Sequence, residues 1–235
     1  MPIPSPKELV AAACHFGHRK EKWNPKMKKM LFGVRRGIHI FDIQQTHDAL
    51  QKVCDELRSL QKSGKTILFV STKLQSINGI EQVSRALGQP VVTKKWVPGL
   101  LTNWSTIKNR IKYFLDMQQS FRTGEVEKYT KKEQTALRKE LTKLEAGFSG
   151  VAGMKGLPDA VFVVDAVRDH VAVLEAKKLS IPVYGICDSN ADPDNFKIFI
   201  PANDDAVKSI DLILQTVEAE LSGAKPDSST EEAKK

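Results

Sequence analysis

Cysteine is scarce in this chain, and so are the features that would direct it out of the cell. The three cysteines among 235 residues form no CxxC pair, which argues against a disulfide framework and a zinc ribbon. No stretch approaches the roughly 20 apolar residues of a membrane-spanning helix, and the first eighteen residues lack the apolar core of a signal peptide. We therefore expect a cytoplasmic protein with no membrane partner.

Glycine-rich phosphate loops are also missing. The sequence contains no GxGxxG. The "SGKT" at 63–66 ends a helical pattern and precedes an apolar run, whereas a phosphate-binding loop follows a strand and opens a helix. We expect neither a cofactor nor a small-molecule substrate.

Almost all of the excess positive charge falls in one short segment. The net charge of the chain is +8, and residues 15–36, with eight lysines and arginines and one glutamate, supply +7 of it. A generally basic protein would spread its charge, so this imbalance indicates a footprint for a polyanion. The candidate contacts in this segment are His18, Arg19, Lys20, Lys22, Trp23, Asn24, Lys26, Lys28, Lys29, Arg35 and Arg36.

Short apolar, β-branched segments alternate with helical patterns along most of the chain. The alternation is typical of βαβ units and a parallel sheet covered on both faces, and helix ends are expected at Gly64 and Gly88. The predicted fold class is α/β, a flavodoxin-like doubly wound parallel sheet. Its strands are predicted at 37–42, 66–71, 90–93, 159–165, 181–188 and 197–200.

Residues 103–148 break this rhythm, because they contain no strand pattern. Two long helical patterns there flank "RTGEVEKYTKKE", and their apolar residues recur at steps of three and four, which is typical of an antiparallel coiled-coil hairpin inserted into the sheet domain. The charges of this hairpin fit a solvated face as well as a nucleic-acid contact. The seam residues are Trp104, Ile107, Ile111, Phe114, Gln118 and Phe121 on the first helix and Leu137, Leu141, Leu144 and Phe148 on the second.

Lysines also alternate with tryptophans in "TKKWVPGLLTNWSTIKNR" at 93–110, directly before the hairpin. Lys94 and Lys95 stand beside a Pro98-Gly99 turn, and Lys108 lies in the first helical pattern. We interpret these three lysines as secondary contacts to the same polyanion.

Acidic residues supply the main alternative. Asp165 and Asp188 end two predicted strands, and carboxylates at the carboxyl edge of such a sheet are where a magnesium-dependent phosphotransfer enzyme or phosphatase would hold its metal. The competing interpretation is that Asp192 and Asn203 begin turns and helices. It is favoured because no nucleophile with a clear partner accompanies the acids, so no catalytic residue is predicted.

A metal site at Cys14, His15 and His18 is the weaker alternative. A structural zinc site needs four ligands, and the spacing supplies no fourth. We predict no metal, although the sequence leaves the question open.

Seven segments, in order, resemble the bacterial small-subunit ribosomal protein S2 family from about Leu9 to Leu221. They are "HFGHRKEKWNPKMKKMLFGVRRGIHIFD", "ILFVSTKLQ", "KKWVPGLLTNWSTIK", "YTKKEQTALRKELTKLE", "GLPDAVFVVD", "EAKKLSIPVYGICDSNADPD" and "IPANDDAVKSI". The resemblance implies a flavodoxin-like domain with a coiled-coil protrusion, bound to small-subunit rRNA and without enzymatic activity. It also implies other small-subunit proteins as partners and a role in recruiting ribosomal protein S1.

These patterns predict a structural rRNA-binding protein whose contacts are mainly to phosphates. The predicted α/β domain is discontinuous, 1–102 and 149–222, with a basic N-terminal extension at 1–36, the hairpin at 103–148 and a disordered tail at 223–235. A protein-binding adaptor that works through the hairpin is a third possibility, and it is compatible with rRNA binding.

Overall fold

The computed structural model describes residues 3–223. The chain begins with helix α1 (Pro6–Ala11), whose first turn is fixed by a capping box between Ser5 and Glu8. No helix within these residues is both long and apolar enough to cross a membrane. The predicted disordered tail at 223–235 lies outside the described residues except for Gly223.

A five-stranded parallel sheet forms the centre of the molecule. Its strands are β4 (Ile67–Val70), β5 (Val91–Val92), β6 (Ala160–Val163), β7 (Val183–Cys187) and β8 (Ile198–Pro201), in the order β5-β4-β6-β7-β8. Numbered along the chain, this order is 2-1-3-4-5, which is that of flavodoxin. The predicted parallel α/β fold is therefore confirmed.

Helices cover both faces of the sheet, because its central strands are apolar on both sides. Ile67 and Phe69 pack beneath α2 (Ile43–Lys62), α3 (Ile77–Leu87) and α7 (Val207–Ser222). Leu68 and Val70 face the opposite core, which includes residues of α6 (His170–Lys178) and of two long helices. As expected, α3 ends at Gly88, which takes the left-handed backbone conformation, and Gly64 follows the end of α2.

The segment 37–42, predicted as the first strand of the parallel sheet, belongs to a separate antiparallel sheet. This second sheet has three strands in the order β1-β3-β2: β1 (Phe16–Arg19), β2 (Leu31–Arg35) and β3 (Ile38–Phe41). Tight turns and a short 3₁₀ helix connect its strands, and no crossover helix is present to make them parallel. The alternation of β3, with His39 and Phe41 buried, was recognised in the sequence, whereas its pairing partners were not.

The two long helices are α4 (Trp104–Arg122) and α5 (Lys131–Phe148), joined by a 3₁₀ turn at Glu125–Lys128. The side chain of Met117 is buried at the position where Gln118 was expected, and Gln118 is only half-buried. The thioether of Met117 can enter an apolar core without a hydrogen-bond partner, whereas the amide of Gln118 cannot. The structure therefore adds Met117 to the buried residues of this helix, whereas Gln118 is half-buried like Trp104, Phe121, Leu137 and Leu141.

Candidate nucleic-acid interface

The basic segment folds into the antiparallel sheet and its connections. The loop between β2 and β3 contains only Arg36 and Gly37, with φ of 52° and 78°. Positive φ at both positions is the geometry of a type I′ hairpin turn, which matches the twist of the flanking strands. Arg35 and Arg36 are exposed at this tip.

A short 3₁₀ helix, Pro25–Met30, presents further lysines between β1 and β2. The side chain of Asn24 caps it by accepting a hydrogen bond from the N–H of Lys26 at 3.0 Å. Met27 is fully buried and anchors the helix in the core. Lys28 and Lys29, in the last turn, are exposed.

Most of the predicted contact residues lie on this one part of the fold. Seven of them are exposed and also form no ion pair with a carboxylate among residues 3–223. We call them the basic surface: Arg19, Lys20, Lys22, Lys28, Lys29, Arg35 and Arg36.

Lys26, by contrast, already has partners within the chain. Its ammonium lies 2.9 Å from Asp192 Oδ2 and 2.5 Å from Asp194 Oδ2, in the loop between β7 and β8. This pair fixes the 3₁₀ helix against the parallel sheet. Its charge is neutralised locally, so Lys26 has less to offer a polyanion than its neighbours.

Three other predicted contacts face inward and hold the sheet in place. The Trp23 ring stacks on buried His39 with centroids 4.9 Å apart. The N–H of Asn24 donates to the carbonyl of Ser189 at 2.6 Å, and His18 Nδ1 lies 3.0 Å from Asp188 Oδ1. These contacts orient the basic surface on the carboxyl edge of the parallel sheet.

The predicted carboxylates do meet at that edge, where they surround a buried lysine. Lys73 follows β4 and is only 6% exposed, and its ammonium lies 3.0 Å from Asp165, 2.7 Å from Asp204 and 2.7 Å from Asp205. Two further hydrogen bonds to Asp165 come from backbone N–H groups of the turn after β6. The acids are therefore occupied by the protein's own donors. We call Lys73 and these three acids, with Asp188 and His18, the edge cluster.

Protonation in the edge cluster follows burial and charge. Burial, followed by the charges of Asp188 and Asp165, raises the pKa of Asp204 to about 7 despite Lys73. Burial by itself would lower the pKa of Lys73, but the neighbouring carboxylates outweigh it and raise this pKa above its usual value. The hydrogen bond to Asp188 raises the pKa of His18 against the opposing effect of burial.

The described residues do not bring together the metal ligands suggested by the sequence. Cys14 is buried against Ser209, and His15 stacks on Phe16. Only His18 of that trio reaches a cluster of possible donors, where one atom each from His18, Asp188 and Asp204 lies within 4.8 Å of the others. Lys73 Nζ already supplies a cation at Asp204, and the cluster has a structural explanation without a metal. Asp192 caps the 3₁₀ helix Pro193–Asn195, and Asn203 accepts backbone hydrogen bonds in the turn before α7, which confirms their interpretation as turn and capping residues.

Lys94, Lys95 and Lys108 lie apart from the antiparallel sheet, and all three are exposed. Lys94 and Lys95 follow β5 and precede a loop, Trp96–Thr102, that is organised around one buried carboxylate. Glu175 of α6 accepts hydrogen bonds from Trp96 Nε1 at 3.0 Å, from the N–H groups of Gly99, Leu101 and Thr102 at 2.7–3.1 Å, and from the Thr102 hydroxyl at 3.1 Å.

Glu175 and Lys73 were not assigned these roles from the sequence. Burial tends to raise the pKa of Glu175, but the five hydrogen bonds reverse this and lower it. In the sequence, a glutamate inside a helical pattern is indistinguishable from one on a solvated helix face. Its role becomes visible only in the structure, where the loop Trp96–Thr102 donates hydrogen bonds to it. Lys73 carried a better signal, since it directly follows a buried strand at the edge where the aspartates were expected.

Two aromatic side chains of the antiparallel sheet are also exposed. Phe16 and Gly33 both pair with Ile40, from opposite sides, and Phe32 is next to Gly33. Phe32 is 83% exposed and Phe16 40% exposed. These two side chains place exposed apolar area beside the basic surface.

Comparison with known proteins gives a consistent result. A family model described as "Ribosomal protein S2" matches residues 9–223. A relative from a Nitratiruptor species, "Small ribosomal subunit protein uS2", is 46% identical over 206 residues, which make up 88% of this chain and 77% of the relative.

Proposed function

Since this chain belongs to the ribosomal protein S2 family, a structural and non-enzymatic component of the small ribosomal subunit in the cytoplasm, we propose that it binds small-subunit rRNA through the basic surface. The observation that carries this proposal is the set of seven exposed cations on one small sheet and its connections, none of which pairs with a carboxylate in the part of the chain that the structure describes. The sheet is fixed to the core by Met27, Asn24 and Lys26, so its charges are held in position before RNA arrives. Lys94, Lys95 and Lys108 are proposed as secondary contacts.

The proposal predicts how steeply the rRNA affinity depends on salt concentration. If the seven cations of the basic surface each neutralise a phosphate, counterion release makes the logarithm of the affinity fall with that of the salt concentration with a slope of roughly −5 to −6. Trp23, Asn24 and His18 would contribute mainly by holding the sheet, given their inward contacts.

A charge reversal tests the surface directly. K28E/K29E should weaken binding to purified small-subunit rRNA at least about a hundredfold at low salt, because it replaces two attractions by two repulsions. Thermal unfolding should be nearly unchanged, since both side chains are exposed. The matched control is K62E/K178E, which reverses two exposed lysines on α2 and α6 and should retain affinity. Equal weakening in both variants, or a loss of stability in K28E/K29E, would refute the surface assignment.

We propose in addition that the chain helps to recruit ribosomal protein S1. The exposed aromatic side chains of Phe16 and Phe32 support this proposal, because apolar aromatic surface is buried more effectively by a protein than by phosphates. F32S should weaken binding of purified S1 to the chain while leaving rRNA affinity unchanged. L74S removes a side chain of similar exposure, 80%, from another part of the surface and serves as the control. An F32S variant that binds S1 normally would contradict this role.

We also propose that α4 and α5 pack against each other as an antiparallel coiled coil. It is supported by the burial of Ile107, Ile111, Phe114 and Leu144, which lie at steps of three and four along their helices. The predicted domain boundaries remain predictions. The alternative of a phosphotransfer enzyme or phosphatase has no support, since the edge cluster is internally paired and the family is not enzymatic.

A further inference from the structure

A second basic site lies between the two long helices, far along the sequence from the basic surface. A groove of about 490 Å³ opens there, lined by Arg110 of α4 and by Lys139 and Lys143 of α5. Ala136 and buried Leu144 also line it.

The cations of this groove have no acidic partners of their own. Glu140 is the one acid in the lining, and it accepts a hydrogen bond from the Tyr113 hydroxyl at 3.2 Å. Among residues 3–223, none of the three cations forms an ion pair with a carboxylate, although many i, i+4 partners were expected on these helices. The groove therefore has an uncompensated positive charge.

The spacing of the cations suits a chain of phosphates. Lys139 and Lys143 are four residues apart and lie on the same face of α5, about 6 Å from each other along the helix axis. Lys132, seven residues before Lys139, lies on the same face near the N-terminus of α5. Arg110 approaches from the other helix, so the positive charge surrounds the groove on two sides.

We infer that this groove, formed by Arg110, Lys139 and Lys143, is a second RNA-binding site that takes the sugar–phosphate backbone. The inference rests on the proposed rRNA binding and extends it to a different face. RNA is favoured over a protein partner because the rim is made of long, exposed cations, whereas the core of a protein interface is depleted of lysine. No aromatic side chain lines the groove, so nothing there can stack on a base. We therefore expect the groove to contact the sugar–phosphate backbone without sequence specificity.

The test compares four forms of the full chain for binding to purified small-subunit rRNA across a salt series. R110Q/K139Q/K143Q should lower the steepness of the log–log salt dependence by roughly 2 to 3 and weaken binding about ten- to a hundredfold at low salt. R110K/K139R/K143R keeps the charge and should behave like the unmodified chain. K62Q/K178Q/K208Q removes three exposed lysines elsewhere and is the control for charge alone.

The outcomes separate this inference from the proposed function. If the unmodified chain binds rRNA and K28E/K29E does not, but the neutralised groove matches the K62Q/K178Q/K208Q control, the groove inference alone is overturned. If the unmodified chain does not bind rRNA, the proposed function fails and the groove inference fails with it. If the groove variant keeps its rRNA affinity and salt dependence but no longer co-sediments with small subunits, the groove faces a protein and the RNA assignment is wrong.

Discussion

Replacing the buried carboxylate of Glu175 by its neutral amide should destabilise the protein more than any other isosteric change at this side of the sheet. Glu175 Oε1 accepts from Trp96 Nε1 and the N–H of Gly99, and Oε2 accepts from Leu101 and Thr102. In E175Q one oxygen becomes an NH₂ group, which can only donate. In the less costly of the two amide orientations, the NH₂ group takes the place of Oε1, and the N–H groups of Trp96 and Gly99 lose their acceptor.

The expected cost follows from that geometry. A buried donor without its acceptor costs about 1–3 kcal/mol, and the remaining bonds lose their charge assistance, so the total should be about 3–5 kcal/mol. At 3 kcal/mol, the unfolding midpoint of a domain of this size falls by roughly 6–12 °C. The amide protons of Gly99, Leu101 and Thr102 should also exchange faster with solvent in E175Q.

Lowering the pH should reduce the difference in stability between the unmodified protein and E175Q. The pKa of Glu175 is lowered in the folded state, so its stabilisation is present above the unfolded pKa and is lost as the pH falls through the folded pKa. E145Q, on the exposed side of α5, is the matched control and should unfold like the unmodified protein. If E175Q and E145Q unfold within about 0.5 kcal/mol of each other at neutral pH, the proposed role of Glu175 is wrong.

Three further predictions concern the sheet and the edge cluster. K73M leaves buried Asp204 without its cation and should lower the free energy of unfolding, measured with denaturant, by about 3–5 kcal/mol. Because burial already raises the pKa of Asp204 to about 7, this loss of stability should be smaller at pH 5, where Asp204 is protonated, than at pH 8. Equal losses at the two pH values would contradict the pairing. G37V places a β-branched residue at a φ of 78° and should destabilise the β2–β3 turn by about 1–3 kcal/mol, as seen in accelerated amide exchange confined to that hairpin. K26A should reduce rRNA affinity less than K28A, since Lys26 is paired with acids of the chain; the reverse order would show that this pair opens on binding.

The parallel sheet could be predicted because its signals are local. Buried strands such as β4, β6 and β7 are continuous apolar runs, and the helices before β4 and β5 are followed by Gly64 and Gly88, so five of the six predicted strands occupy their expected places. The sixth, β3, has the same local signal but a different partner. Its pairing with β1 and β2 depends on a two-residue turn and on anchoring by Met27, and neither leaves a periodic pattern in the sequence.

The candidate site could be predicted as a region but not residue by residue. The charge density of the sequence indicates the segment 15–36, and all eight of its lysines and arginines are exposed. The inward roles of His18, Trp23 and Lys26 could not be derived, because their partners, Asp188, His39 and Asp192, are distant in sequence or lie on another strand. Asp165 and Asp188 lie at the predicted edge of the sheet, whereas the sequence did not show that Lys73 pairs with the acids there.

The salt dependence of rRNA binding tests the central claim most directly. The affinity of the full chain for purified small-subunit rRNA would be measured from low to high monovalent salt, beside K28E/K29E. The account predicts a log–log slope of roughly −5 to −6 for the unmodified chain, or steeper if the groove also binds, and an affinity at least about a hundredfold lower at low salt for the variant. A shallow slope near zero, or a variant that binds as tightly as the unmodified chain, would contradict it.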